Sequence, residues 1–317
     1  MKLYNFIIYH KGCLDGFSSL VVLNSTSYID NNAIIYPDVP STSLPPSNID
    51  NKHIIIMDVA YKYDVLKEII QRAKSVLFID HHVTIHDDVN KLKEYTGNDK
   101  IKIIYNEDEC GSSLTWKYFY PKKQIPLFLR YIKDNDIGTW KLKHTHSFIA
   151  SLHVKYTTEL TKNNLNQWTK LFDEKNVKYM IKKGNVYMEY INYLFDANAG
   201  RYSMMAFPSE KLYLNNTELF MKPGQYKVAV VCGNGCPNIS LLGLYMVNHI
   251  NCDFVIFWNL HLDRKEYVLS FRSKKTDVGE ISKIFGGGGH KLASACSFNM
   301  NKYSINDLFM PDSLPRR

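Results

Sequence analysis

Short apolar runs that stop abruptly at polar residues alternate along the first half of the chain with stretches of helical spacing. Leu3 to Tyr9 reads as a strand, and the turn His10-Lys11-Gly12-Cys13-Leu14-Asp15-Gly16 leads into a helix from Phe17 to Leu23. A short strand at Ala33 to Tyr36 precedes a Pro-rich loop from Pro37 to Pro46, and His53 to Asp58 is a further strand ending in an acid. Tyr63 to Ala73 puts Val65, Leu66, Ile69, Ile70 and Ala73 on one helical face. Val76-Leu77-Phe78-Ile79 then runs straight into Asp80-His81-His82, and Ile101 to Tyr105 is another strand. Gly111-Ser112-Ser113 opens a helix, with the two serines expected to cap it, and Ile125 to Lys133 is a helix leading into Asp134-Asn135-Asp136. Residues 143–173 are less legible and are expected to form helices or irregular cover.

Strands that alternate with helices imply a parallel sheet covered on both faces, hence an α/β fold. In such a sheet all strand C-termini lie on one edge, where ligands bind. Three strands here end in metal-binding residue types: His10 with Asp15, then Asp58, then Asp80-His81-His82. They would converge without further assumption, and His beside Asp suits a divalent metal, the outer group fixing the imidazole tautomer.

The pattern changes near residue 175. Val177, Met180, Ile181, Val186, Tyr190, Ile191 and Leu194 predict one long helix, which Gly200 would end. Strands return at Lys227 to Val231, Phe254 to Trp258, Glu266 to Phe271 and Ala293 to Phe298, with helices at Ile239 to Val247 and Val278 to Ile284. The predicted organisation is a first α/β domain over 1–174, a helical linker over 175–200 and a smaller α/β domain over 201–317. Between the last helix and strand lies Gly286-Gly287-Gly288-Gly289-His290. Backbone this flexible costs entropy, so the run is expected to let the chain approach a ligand closely and offer N–H donors to a phosphate.

The 317 residues and 45% hydrophobic content suffice for two cores. No apolar run approaches the ~20 residues of a membrane span. Six scattered cysteines do not form a disulfide framework and fit a reducing, cytoplasmic setting. Cys232 and Cys236 lack two further zinc ligands at suitable spacing, and His144, His146 and His153 read as surface or structural residues. The net charge of +8 agrees with a polyanionic partner without demonstrating one.

Together, His10…Cys13-Leu14-Asp15-Gly16, Asp58 at its strand end, Asp80-His81-His82, Asp134 (with Asp136 as the competing alignment) and Gly287-Gly288-Gly289-His290 after Phe271-Arg272-Ser273 resemble the DHH phosphoesterase superfamily with its C-terminal substrate-binding domain. The resemblance covers nearly the whole chain. The blocks Cys110 to Trp116 and Tyr131 to Asp136 are similar to its branch that degrades very short RNA. The resemblance implies a phosphoric ester hydrolase using two divalent ions, usually manganese, with magnesium, cobalt or zinc as substitutes. It implies that Asp58 bridges the ions, His10 holds the first, and Asp15, His81 and Asp134 hold the second. His82 would face the scissile phosphate and Asp80 would orient an imidazole. Cys13 stands where the family commonly has a second acid: it is either a soft ligand for the first ion or a packing residue. Arg272, Gly287, Gly288, Gly289 and His290 would contact the substrate, a short RNA, a dinucleotide or a nucleotide phosphate, and a homodimer is compatible. The alternatives are a phosphatase acting on 3′-phosphoadenosine 5′-phosphate, a cyclic-dinucleotide phosphodiesterase, or a nucleotide-binding protein whose catalysis is weakened.

Overall fold

The computed structural model describes residues 3–40, 42, 44–94, 98–198, 202–214, 221–236 and 238–311, the side chains of 98 and 196–198 excepted. The chain divides into two compact units, Met1–Glu189 and Tyr190–Arg317. The first unit runs β1 (Tyr4–His10), α1 (Leu14–Asn24), β2 (Ile29–Asp38), β3 (His53–Met57), α2 (Tyr63–Arg72), β4 (Ser75–Asp80), α3 (His86–Glu94), β5 (Ile101–Tyr105), α4 (Gly111–Phe119), α5 (Leu127–Asp136), α6 (Thr145–Lys155), α7 (Lys162–Thr169) and α8 (Glu174–Asn198). Its five strands form a fully parallel sheet in the order β2-β1-β3-β4-β5, as the alternating pattern predicts.

Burial explains this sheet. Every residue of β4 is buried, as expected of a central strand covered on both faces. One face packs Phe17, Leu20 and Val21 of α1 against α4 to α8, and the other packs Val65, Leu66, Ile69 and Ile70 of α2 and Val89 and Leu92 of α3. The strand order reverses direction between β1 and β3, so the crevice at their C-terminal ends is the topological switch point of the sheet. His10 ends β1 and Asp58 follows β3, so both lie at that crevice. Tyr9 pairs with Met57 and Met57 with Ile79, which places His10, Asp58 and Asp80 at one level.

Several elements differ from the sequence reading. β2 begins at Ile29 and continues through Pro37 to Asp38. As an edge strand it tolerates the missing N–H of a proline. Helix α3 escapes prediction because only Val89 and Leu92 of its nine residues are buried apolar contacts. Residues 143–173, legible only as cover, supply α6 and α7. Helix α8 begins at Glu174 and crosses the boundary between the units at Glu189 and Tyr190. The expected stop at Gly200 lies outside the described residues.

The second unit contains β6 (Ser203–Phe207), α9 (Glu210–Leu214), β7 (Tyr226–Cys232), α10 (Ile239–His249), β8 (Phe254–His261), β9 (Glu266–Ser273), α11 (Val278–Ile284), β10 (Gly288–His290), β11 (Ala293–Asn299) and β12 (Met310–Pro311). Its sheet is mixed, in the order β10-β11-β9-β8-β7-β6-β12, with β7 and β8 parallel and the other pairs antiparallel. Phe207, Phe254, Phe271, Val278 and Ile281 belong to its core. Among the described residues no helix is long and apolar enough to cross a membrane.

Close approach of α1 to β1 depends on Gly16. A Cβ there would lie 2.5 Å from the carbonyl oxygen and 2.6 Å from the Cβ of His10. Gly16→Ala is therefore expected to cost about 1–3 kcal/mol, as overpacking typically does, read as a lower urea midpoint for the first unit. An unchanged midpoint would show that α1 can shift freely relative to β1.

Candidate metal centre

The site is built from the sheet edge upward. Asp58 leaves β3 with φ +63°, a left-handed backbone that costs energy for most residues but that Asp tolerates best after Asn and Gly. Its N–H still donates to Ile79 O at 2.9 Å, so the turn is tied to β4 while the carboxylate swings into the crevice. Asp15 reaches the same place from the first turn of α1 and is fully buried. The N-terminus of α4 points at it. The N–H of Gly111 donates to Asp15 Oδ2 at 2.5 Å and that of Ser112 to Oδ1 at 3.0 Å, placing an anion where free amides and the helix dipole favour one. Gly111 is required there, because a Cβ would sit 2.8 Å from the Cβ of Asp58 and 3.0 Å from Asp15 Oδ2.

Two triads result, and they share one residue. Ligand atoms of His10, Asp58 and His82 lie within 4.8 Å of one another, and so do those of Asp15, Asp58 and His81. His10 Nδ1 faces Asp58 Oδ2 at 3.3 Å, and both atoms are buried without a hydrogen bond. His81 Nε2 is surrounded by three carboxylates: Asp58 Oδ1 at 3.2 Å, Asp136 Oδ2 at 3.3 Å and Asp15 Oδ2 at 3.8 Å. One N–H cannot satisfy three carboxylate oxygens. Burying that many like charges together is costly unless protons or a cation offset them. Orphaned buried atoms and a set of carboxylates and imidazoles together fit divalent metal ions.

The electrostatics say the same. Burial pushes the Asp15 carboxyl up, and the neighbouring Asp58 and Asp136 add to the rise. Burial would also raise Asp58, but the imidazoles of His10, His81 and His82 beside it outweigh that and hold the group well below the usual carboxylate range. Burial opposes protonation of His81, yet Asp58, Asp136 and Asp15 carry it up to about 10. His82 rises to about 9 through Asp80 and Asp58 against the same burial. Without metal the cluster therefore neutralises itself with protons, which an incoming ion must displace.

Asp80 does not enter either triad. Its Oδ1 accepts the N–H of His81 at 2.6 Å and of His82 at 2.9 Å, and lies 2.8 Å from His82 Nδ1. That contact fixes the orientation of the His82 ring through Nδ1. The Tyr105 hydroxyl, 2.9 Å from His82 O and 2.8 Å from Glu107 Oε1, steadies the same residue, which the sequence reading missed.

The two alternatives for the fourth motif separate clearly. Asp134 Oδ1 accepts from Thr139 Oγ1 and Lys141 N, and Oδ2 from Leu142 N and Thr145 Oγ1. It organises the loop after α5, and those donors lower its pKa against the effect of burial. Asp136, two residues on, is the one brought to His81, at 3.3 Å. Cys13 belongs to neither triad. Burial raises its thiol well above the ordinary range, and Asp58, Asp136 and Asp15 raise it further. Ser113 caps α4, accepting the N–H of Cys110 at 3.1 Å.

In the second unit the glycine run leads into strand β10 and not into a helix N-terminus. Close packing accounts for two of its members. A Cβ on Gly287 would meet Ala295 O at 2.1 Å, and one on Gly289 would meet Ala293 O at 2.6 Å. Arg272 is paired across the sheet with Ala293, and Ala293 with His290. Cross-strand partners share a face, so Arg272 and His290 flank a small alanine on one side of the sheet. Arg272 donates to Phe271 O at 2.8 Å and Ser240 Oγ at 2.9 Å, and burial lowers its pKa to about 10. Gly243 of α10 admits its stem, since a Cβ there would lie 2.5 Å from Arg272 Cγ.

No family model matches the chain. It is 30% identical over 309 residues to the uncharacterized protein R106 of Acanthamoeba polyphaga mimivirus, covering 92% of this chain and 67% of that protein. The chain belongs to the family of that protein. Among solved structures it is similar to a pGpG-specific phosphodiesterase, PggH, of Vibrio cholerae, at 14% identity and TM-score 0.45, covering 94% of each chain. It is also similar to an exopolyphosphatase-related protein of Bacteroides fragilis, at 14% identity and TM-score 0.48, covering 92% of this chain and 86% of that one.

Two substitutions separate the acids of α5. Asp136→Asn is expected to weaken manganese binding on the order of tenfold or more, the loss of one charged contact, with little change in the thermal midpoint. Asp134→Asn is expected to lower stability by about 1–3 kcal/mol and leave manganese binding close to that of the parent. Calorimetric titration and thermal unfolding check both, and the opposite assignment of effects would restore Asp134 as the ligand.

Proposed function

We propose that the chain is a metal-dependent phosphodiesterase that hydrolyses short RNA oligonucleotides or dinucleotides. The observation that carries this reading is the sharing of Asp58 by two triads, His10-Asp58-His82 and Asp15-Asp58-His81. Asp58 turns Oδ2 to His10 and Oδ1 to His81, an arrangement suited to bridging a pair of ions. Bound there, two divalent ions would clamp a phosphate and activate a water at neutral pH.

The chain's own residues do the rest. His10 and Asp58 would hold one ion, and His81, Asp15, Asp136 and Asp58 would hold the second. The amides of Gly111 and Ser112 keep Asp15 in place as an anion. Asp80 holds the His82 ring by the hydrogen bond at Nδ1, and Nε2 would face the reacting phosphate. In the second unit Arg272 and His290 present an anion-binding pair, with the guanidinium committed to no carboxylate among the described residues. Planar guanidinium donors match phosphate oxygens. The motifs resembling the DHH phosphoesterases support the same reaction class and point to manganese, and those resembling the short-RNA branch support the substrate class.

A turnover panel with manganese tests the reading. The dinucleotide should be hydrolysed faster than a long RNA, a cyclic dinucleotide or 3′-phosphoadenosine 5′-phosphate. Arg272→Ala should raise KM about tenfold or more, as loss of a charge-assisted contact does. Fast hydrolysis of the bisphosphate beside little turnover of the dinucleotide would overturn the substrate assignment.

A further inference from the structure

A cavity of 480 Å³ opens in the first unit beside α5, and no residue of the two triads lines it. Three cations face it: Arg130, Lys133 and Lys141. Lys133 is 2.8 Å from Glu109, which also takes Lys117 at 2.6 Å, so that pair is spent within the fold. Arg130 and Lys141 are exposed and have no ion pair among the described residues. The one carboxylate among the lining residues, Asp134, has both oxygens filled by donors from its own loop. Arg130 and Lys141 therefore set two unpaired positive charges against the single carboxylate of Asp134, and the lining keeps a net positive charge.

The walls are preformed. Asp134 ties down Thr139, Lys141, Leu142 and Thr145. Trp140, held at φ +51°, stacks on His146 with ring centroids 4.5 Å apart. Strained backbone of this kind persists only where its surroundings over-determine it. A rigid wall lowers the cost of binding. Ile125 and Leu142 add apolar lining. The volume falls in the range of sites for small organic ligands and far exceeds an inorganic ion.

We propose that this cavity is a second anion site, separate from the metal centre, that takes an organic phosphate monoester. Its phosphate lies between Arg130 and Lys141, and its body rests on Ile125 and Leu142. Asp134 serves as the positioning residue that holds the wall.

Equilibrium dialysis of adenosine 5′-monophosphate against the metal-free full chain tests this, with adenosine and inorganic phosphate as companion probes. Saturable binding of the monophosphate is expected. Replacing both cations, Arg130→Ala with Lys141→Ala, should weaken it on the order of tenfold or more, in the parent and in the Arg272→Ala background alike. Both cations are exposed, so the double variant should keep the parent's thermal midpoint; Lys141→Gln alone provides a milder second test with an intermediate loss. Adenosine should bind at least about tenfold more weakly, because it lacks the charge. Three results would overturn the proposal: no saturable binding, binding unchanged in the double variant, or binding abolished by Arg272→Ala alone. Inorganic phosphate binding as tightly as the monophosphate would overturn the organic class of the ligand.

Discussion

The carboxylate of Asp58 is the point on which the first unit turns. It follows the strand beside the switch point of a five-stranded parallel sheet, with a left-handed backbone that aims it into the crevice. A metal-free crevice of this composition is self-repelling, because Asp15, Asp58 and Asp136 all approach His81. The fold answers with protons, with the amides of α4 and with three imidazoles. Each of those answers is local, and each is positioned by an element whose own packing is apolar. Phe17 and Leu20 seat α1, Leu114 seats α4, and Phe128, Leu129 and Ile132 seat α5.

Small residues at two helix starts make that convergence possible. Gly16 lets α1 lie on the end of β1, and Gly111 lets α4 abut the Cβ of Asp58. The same principle recurs in the second unit, where Gly243 admits the stem of Arg272 and Gly287 and Gly289 admit the backbone of β11. Glycine serves here chiefly to bring backbone against backbone or side chain, and the chemistry is carried by its neighbours.

Much of this was legible in the sequence. Buried strands ending in His10, Asp58 and Asp80-His81-His82 announce both the parallel sheet and the cluster at its edge, because period and apolar runs report burial directly. What local pattern does not report is where a side chain goes once its helix is seated. Asp134 and Asp136 are indistinguishable as letters, two residues apart on α5. Only the loop of residues 139–145, which consumes Asp134, decides between them. The amides of Gly111 and Ser112 on Asp15 bridge 96 and 97 positions and leave no local signal. Helix α3 and strand β6 carry few β-branched or periodic apolar residues and were invisible for that reason. The four glycines were legible as a special backbone, and their packing role emerged only with the register of β10 on β11.

The central claim is that Asp58 bridges two ions. Crystals grown with manganese and measured at its absorption edge test it most directly. The account predicts two anomalous peaks about 3.5–4 Å apart, with an Asp58 oxygen on each, His10 on one side and His81 and Asp136 on the other. A single peak, two peaks that Asp58 does not join, or an ion held by Asp134 would contradict it.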